Sequence, residues 1–243
     1  MFENIMQSLE RTLSVGRAEM LMRGMWVTIQ ISLGAIIVGL IIGTIIVTCK
    51  LSKFRLLRAI AFVYLGVIRG TPSVTQLLIV NATIFAGVRG AGVWVAIVAL
   101  GINSGAYVAE IIRAGILSID KGQREAGLSL GFTNIQTMRY IIMPQAIKNI
   151  IPTFCNEFIV LIKETAIVGF IAVADINRVA QQIMSRTFEI MPLFVAAAMY
   201  LALISILTAL LGIFERKLRA ADRDAVPGRK AWRKRDMKEG GNS

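Results

Sequence analysis

The sequence predicts an all-α integral membrane protein with five transmembrane helices, and three observations carry that prediction. Of 243 residues, 56% are hydrophobic and only 17% are charged. The apolar residues gather into runs of about 20, the length that crosses a bilayer as a helix. The charges fall mostly between those runs. Mean hydropathy is +0.67, more than a soluble domain of this length needs to bury a core.

Residues 1–23 carry Glu3, Glu10, Arg11, Arg17, Glu19 and Arg23, so they lack the apolar core of a cleavable signal peptide. Phe2, Ile5, Met6, Leu9 and Leu13 recur at helical spacing, which predicts an amphipathic helix at the membrane surface. The transmembrane region is expected over 24–215, with spans at 25–49, 59–87, 92–112, 150–174 and 192–214. Arg69 and Pro72 interrupt the second, and Lys163 and Glu164 lie inside the fourth. Residues 216–243 form a basic tail.

Five spans put the termini on opposite sides, and charge selects the side. With the N-terminus outside and the C-terminus cytoplasmic, the inner segments hold 19 Lys and Arg and the outer segments 6. Cytoplasmic loops carry the excess of Lys and Arg, so this orientation is expected. The net charge of +12 fits anionic lipid headgroups and cytoplasmic loops rather than nucleic acid, because the basic clusters flank apolar runs. The pairs Gly39/Gly43, Gly66/Gly70 and Gly101/Gly105 predict close helix packing.

Other functions are excluded by what is missing. The chain has no histidine and only two cysteines, Cys49 and Cys155, far apart in sequence. Zinc clusters and Ser-His-Asp catalysis are therefore not expected, and the cysteines read as packing residues. No Gly-x-x-x-x-Gly-Lys-Ser/Thr phosphate loop occurs, so any ATP would be used by another chain.

The segment 113–149 is too polar to span and too apolar for a free loop. It predicts a break at Gly122, a short helix from Glu125 to Leu130 broken by Gly131, and a second from Ile135 to Ile142 ended by Pro144. Such a shape suits a docking surface for another protein. The run Glu125-Ala126-Gly127, Gly131 and Ile141-Ile142-Met143-Pro144 resembles the EAA loop of ABC importer permeases. Gly127 and Met143 depart from the usual Ala and Leu. Four more stretches resemble the polar amino acid subfamily. They are Asn103-Ser104-Gly105-Ala106-Tyr107-Val108-Ala109-Glu110, Arg69-Gly70-Thr71-Pro72 with Gln76, Lys163-Glu164-Thr165-Ala166, and Gly24 with Thr28. The resemblance covers about residues 24–215.

That resemblance implies the type I ABC importer permease fold and a bacterial cytoplasmic membrane location. It implies two ATPase subunits using ATP and Mg, a second permease copy or paralogue, and an extracytoplasmic solute-binding protein. The chain itself would bind no cofactor and would not be an enzyme. Arg124, Glu125, Ala126, Gly127, Gly131 and Pro144 match the coupling loop. Glu125 is expected at the start of the docking helix, near its N-terminal dipole.

Polar groups at membrane depth are candidates for a pathway or gate. They are Arg69, Thr71, Gln76, Asn103, Tyr107, Asn156, Lys163 and Glu164. Facing one interior, cations would meet a solute's carboxylate, and Glu164 or Glu110 its ammonium. Under the plainer reading Lys163 and Glu164 only pair with groups on neighbouring spans, and Arg69 and Glu110 snorkel near the interfaces. The alternative function is a secondary transporter or channel for a small polar solute without an ATPase.

Overall fold

The computed structural model describes residues 2–88 and 90–224. Apolar segments without water must satisfy every backbone N–H and C=O internally, and helices do so within one segment. Ten α-helices follow: α1 (Phe2–Thr12), α2 (Val15–Leu51), α3 (Arg55–Gly70), α4 (Ser73–Thr83), α5 (Gly92–Leu117), α6 (Lys121–Ser129), α7 (Asn134–Thr137), α8 (Met143–Glu164), α9 (Ile176–Thr187) and α10 (Met191–Asp224). A π-helical turn, Met138–Ile142, joins α7 to α8, and a 3₁₀ stretch, Thr165–Ile171, follows α8. The chain divides into one compact unit up to Ser205 and a second from Ile206, the latter described as helix to Asp224. Most of the expected tail, 225–243, lies outside the described residues.

The first unit is built on α2 against α5. Their backbones approach at small residues. A Cβ on Gly43 would lie 2.7 Å from Val108, and one on Gly101 would lie 2.6 Å from Val38. Around this seam Ile31, Ala35, Leu100, Val108, Leu161 and Val168 form a buried cluster. Helix α8 packs on α5 where Gly115 faces Ile150. The Gly39/Gly43 and Gly101/Gly105 pairs therefore both serve the α2–α5 contact. Gly66 and Gly70 instead face open space within the chain.

Several expected boundaries change. Helix α2 begins at Val15, so residues 15–23 belong to the first long helix and the separate amphipathic helix is only α1. The second expected span is two helices, α3 and α4, bent by 110°. Pro72 cannot donate its backbone N–H and holds the preceding residue extended, which ends α3 there. The fourth expected span is shifted: α8 starts at Met143, and after Glu164 the chain tightens to 3₁₀. Lys163 and Glu164 thus stand at the end of α8 rather than in mid-span. Helices α2, α5 and α10 are long and apolar enough to cross a membrane, and the α3–α4 pair counts as a fourth if it is one span. Helix α8 has the length, 22 residues, but Lys148, Glu157, Lys163 and Glu164 dilute its apolarity.

Candidate functional site

The expected coupling segment forms from local signals that differ in part from those predicted. Helix α6 starts at Lys121, because the Asp120 side chain accepts from the Gly122 N–H at 2.7 Å and caps it. Gly122 is therefore inside the helix and breaks nothing. Glu125 falls in the second turn, exposed, so it is not a first-turn carboxylate on the helix dipole. The helix ends as expected at Gly131, whose φ is +84°. There Phe132 N–H donates to the Gly127 carbonyl and Gly131 N–H to the Leu128 carbonyl, the paired bonds of a Schellman ending. Thr133 and Gln136 then cap α7 reciprocally.

Pro144 does not end this second helix. The chain stays helical from Asn134 to Glu164, and the wider π turn before Pro144 absorbs its missing donor and its ring. Gly127 is the contact point between the two short helices. It is buried, and a Cβ there would lie 2.8 Å from Ile141 and 2.9 Å from Thr137. The departure from Ala at this position thus has a packing reason. Arg124 is exposed and donates to Asn134 Oδ1 at 2.8 Å, a second tie between α6 and α7. Ala126 is exposed with Glu125 and Arg124, so α6 presents these residues outward.

Three of the expected pathway residues clamp the α3–α4 bend. A helix end leaves its last carbonyls without partners. Gln76 supplies them: its Nε2 donates to the carbonyls of Ile68 at 2.8 Å and Thr71 at 3.1 Å, and to Thr71 Oγ1 at 2.8 Å. Its Oε1 accepts from Asn103 Nδ2 of α5 at 2.9 Å. Gln76 and Asn103 are both buried. Their polar atoms are taken up in holding the bend to α5.

Glu110 is ion-paired within the helix bundle. Its carboxylate takes Lys50 of α2, Arg113 Nε at 2.8 Å and, more distantly, Arg69 of α3 at 3.9 Å. Arg69 also stands over the Tyr107 ring, 5.8 Å from its centroid. One carboxylate therefore ties α2, α3 and α5 together, and Arg69 belongs to this knot.

Between α5 and α8 lies an open cleft of about 500 Å³ lined by Tyr107, Glu110, Asn149, Asn156 and Glu157 among others. It brings together two expected residues, Tyr107 and Asn156. Glu157 was missed by the sequence reading, although a carboxylate in an apolar run seven residues before Glu164 is a signal. Glu157 is half-buried and accepts from Ser104 Oγ at 2.9 Å. Seven residues is two helical turns, so Glu157 and Glu164 share a face, as do Asn156 and Lys163. Among the described residues, no hydrogen bond or ion pair reaches the side chains of Lys163 or Glu164.

The remaining resembling residues meet at the other end of α2. A Cβ on Gly24 would lie 2.9 Å from the Asp175 carbonyl oxygen, so glycine admits the α9 start. Thr28 Oγ1 accepts from Ile176 N–H at 3.5 Å. Buried Asp175 caps α9 and accepts from Tyr200 Oη at 3.0 Å. Thr165, also buried, donates to the Ile162 carbonyl at 2.7 Å where α8 gives way to 3₁₀. Among the described residues, no cluster of three His, Cys, Asp or Glu is placed to hold a metal ion.

The model of the family described as binding-protein-dependent transport system inner membrane component matches residues 35–220. The chain belongs to that family. It is a permease subunit of an ABC importer, an inner-membrane transport component and not an enzyme. It is 41% identical over 218 residues to the arginine transport system permease protein ArtQ of Bacillus subtilis (strain 168), covering 88% of this chain and 100% of the relative. It is 35% identical over 204 residues to the glutamine transport system permease protein GlnP of Escherichia coli (strain K12), covering 82% and 93%. Among solved structures, a crystal structure of an amino acid ABC transporter with histidines matches with TM-score 0.79 and 42% identity, over 84% of this chain and 96% of that one. The inward-facing MetNI methionine ABC transporter shares the fold at TM-score 0.72 and 17% identity, over 84% of this chain and 99% of that one. The fold is thus the type I permease fold expected from the sequence.

Proposed function

We propose that this permease crosses the membrane five times, N-terminus outside, and conducts a polar or charged amino acid delivered by an extracytoplasmic solute-binding protein. The α3–α4 pair is one broken span, and α8 is the fourth. Two separate ATPase subunits, using ATP and Mg, dock on α6 through Arg124, Glu125 and Ala126. A second permease copy or paralogue completes the path. One observation carries this reading. Gly127 of α6 is packed on Thr137 and Ile141, and the same continuous helical run continues into α8, which lines the cleft with Asn156 and Glu157. Movement of α6 by the ATPases therefore reaches the cleft wall as a rigid lever. Glu157, half-buried and oriented by Ser104, suits the ammonium or other cationic end of the solute, while Lys163 suits its carboxylate.

The test is uptake of labelled amino acids by vesicles holding the purified complex, with co-purifying chains identified by mass spectrometry. An ATPase in equal amount with this chain and ATP-dependent uptake are expected. Glu157→Gln is expected to raise the half-saturating concentration at least tenfold, since charge-assisted hydrogen bonds contribute about 1.5–3 kcal/mol. Recovery of this chain without an ATPase, or unchanged uptake by that variant, would overturn the docking and cleft assignments respectively.

A further inference from the structure

We infer that the elbow joining α2 to α3 is a seat for anionic phospholipid headgroups, one that supports transport. The elbow presents Lys53, Arg55 and Arg58, all exposed, together with Phe54, Leu56 and Ile60, which are 72%, 73% and 51% exposed. Among the described residues, no hydrogen bond or ion pair reaches any of the three cationic side chains. Asp120 and Glu125 line a pocket with Leu51 at the start of the elbow, yet neither forms an ion pair with these three cations. No Asp or Glu occurs between Glu19 and Glu110, and Glu110 is already engaged by Lys50, Arg113 and Arg69. Among the described residues the three cations are thus left open to an anionic partner from outside the chain.

Position and chemistry select the source. The elbow follows directly on the apolar stretch of α2, so it stands where hydrocarbon gives way to headgroups. Exposed Phe54, Leu56 and Ile60 among the cations match a surface with an apolar interior and an anionic rim, which a bilayer containing phosphatidylglycerol provides. A soluble anion would leave those apolar groups in water.

The seat has a mechanical consequence. Lys50 before the elbow and Arg69 at the far end of α3 both reach Glu110. Lys50, Lys53, Arg55 and Arg58 fall within nine residues and repel one another. Anionic headgroups relieve that repulsion and leave α3 free to stay tied to α5 through Glu110. Without them the repulsion works against the knot that also positions Tyr107 at the cleft.

The experiment uses the full importer complex, with phosphatidylglycerol titrated into phosphatidylcholine nanodiscs or vesicles. Phosphatidylglycerol binding is read by native mass spectrometry and ATP-driven uptake is read in parallel. Each basic residue near an anionic surface contributes about fivefold, so K53Q/R55Q/R58Q is expected to weaken binding by about a hundredfold and to flatten the phosphatidylglycerol dependence of uptake. The charge-conserving R55K/R58K variant is expected to retain both, which separates charge from folding. Deletion of 225–243, which removes the Arg and Lys cluster of the tail, is expected to leave both in place. Unchanged lipid affinity in the Gln variant, loss of it in the tail deletion, or cross-linking of Leu56→Cys to a second permease subunit would overturn the inference.

Discussion

Replacing Gln76 by Leu separates a clamp from a conduit. The substitution keeps most of the side chain's volume and removes its amide. Three ties go with it: the part-buried bond to the Ile68 carbonyl, the shared part-buried bond to the Thr71 carbonyl and hydroxyl, and the buried bond from Asn103. Hydrogen bonds between membrane helices average about 0.6 kcal/mol and reach about 1.7 kcal/mol. Polar groups left buried without a partner cost about 1–3 kcal/mol each. Three ties at values between these give a loss of about 2–4 kcal/mol. For a chain of this size that is a fall in melting temperature of roughly 5–15 °C. The assay is the thermal melt of the purified permease in mild detergent, repeated for Asn103→Leu and the double variant. Because Gln76 and Asn103 meet directly, the two losses are expected to be less than additive by about 0.6–1.7 kcal/mol. A melt unchanged within about 2 °C, alongside an altered half-saturating concentration for uptake, would refute the clamp and return Gln76 to the pathway.

Further outcomes follow from the same geometry. Gly127→Val puts a branched side chain where a Cβ already lies 2.8 Å from Ile141. Overpacking by about 1–3 kcal/mol is expected to part α6 from α7 and lower ATPase co-purification without changing solute-binding-protein affinity. Glu110→Gln leaves Lys50 and Arg113 facing no carboxylate. These half-buried pairs lie between exposed and buried limits, so a loss of about 2 kcal/mol in a denaturation assay is expected, with Glu110→Asp recovering part of it. A third test concerns pH. The Ser8 hydroxyl, with Arg11 and Arg17 adding charge, holds the Glu189 carboxyl below its ordinary value. A lowered folded-state pKa means stabilisation present above the unfolded value and lost as pH falls through the folded one. Attachment of α1 is therefore expected to persist through neutral and mildly acidic pH and to loosen below the ordinary carboxylate range. Hydrogen exchange over residues 5–12 checks this, and Glu189→Gln should exchange fast at every pH.

Much of the architecture was legible because its causes are local. Long apolar runs gave α2, α5 and α10 directly, since composition alone decides whether a segment tolerates hydrocarbon. Gly131 was read as a helix end because positive φ is a property of one residue. Pro144 misled for the opposite reason. Whether a proline ends a helix depends on what the preceding turn can absorb, and here the chain widens to a π turn. Glu125 was placed too early in its helix because the cap that starts α6 is Asp120, five residues upstream.

The site shows the same division more sharply. The sequence by itself determined that this chain is a helical membrane protein, and it singled out one polar segment as a candidate for docking and several polar groups among the apolar runs. These follow from hydropathy, charge asymmetry and motif spacing, which need no fold. Only the tertiary structure decided which polar groups do what. Gln76 and Asn103 are 27 residues apart and meet across the bend. Ser104 and Glu157 are 53 apart and meet across the cleft. Lys50 and Glu110 are 60 apart and close the knot. A polar side chain satisfied by a distant helix looks the same in sequence as one left for a solute. The difference lies in the partner, which folding alone brings within reach.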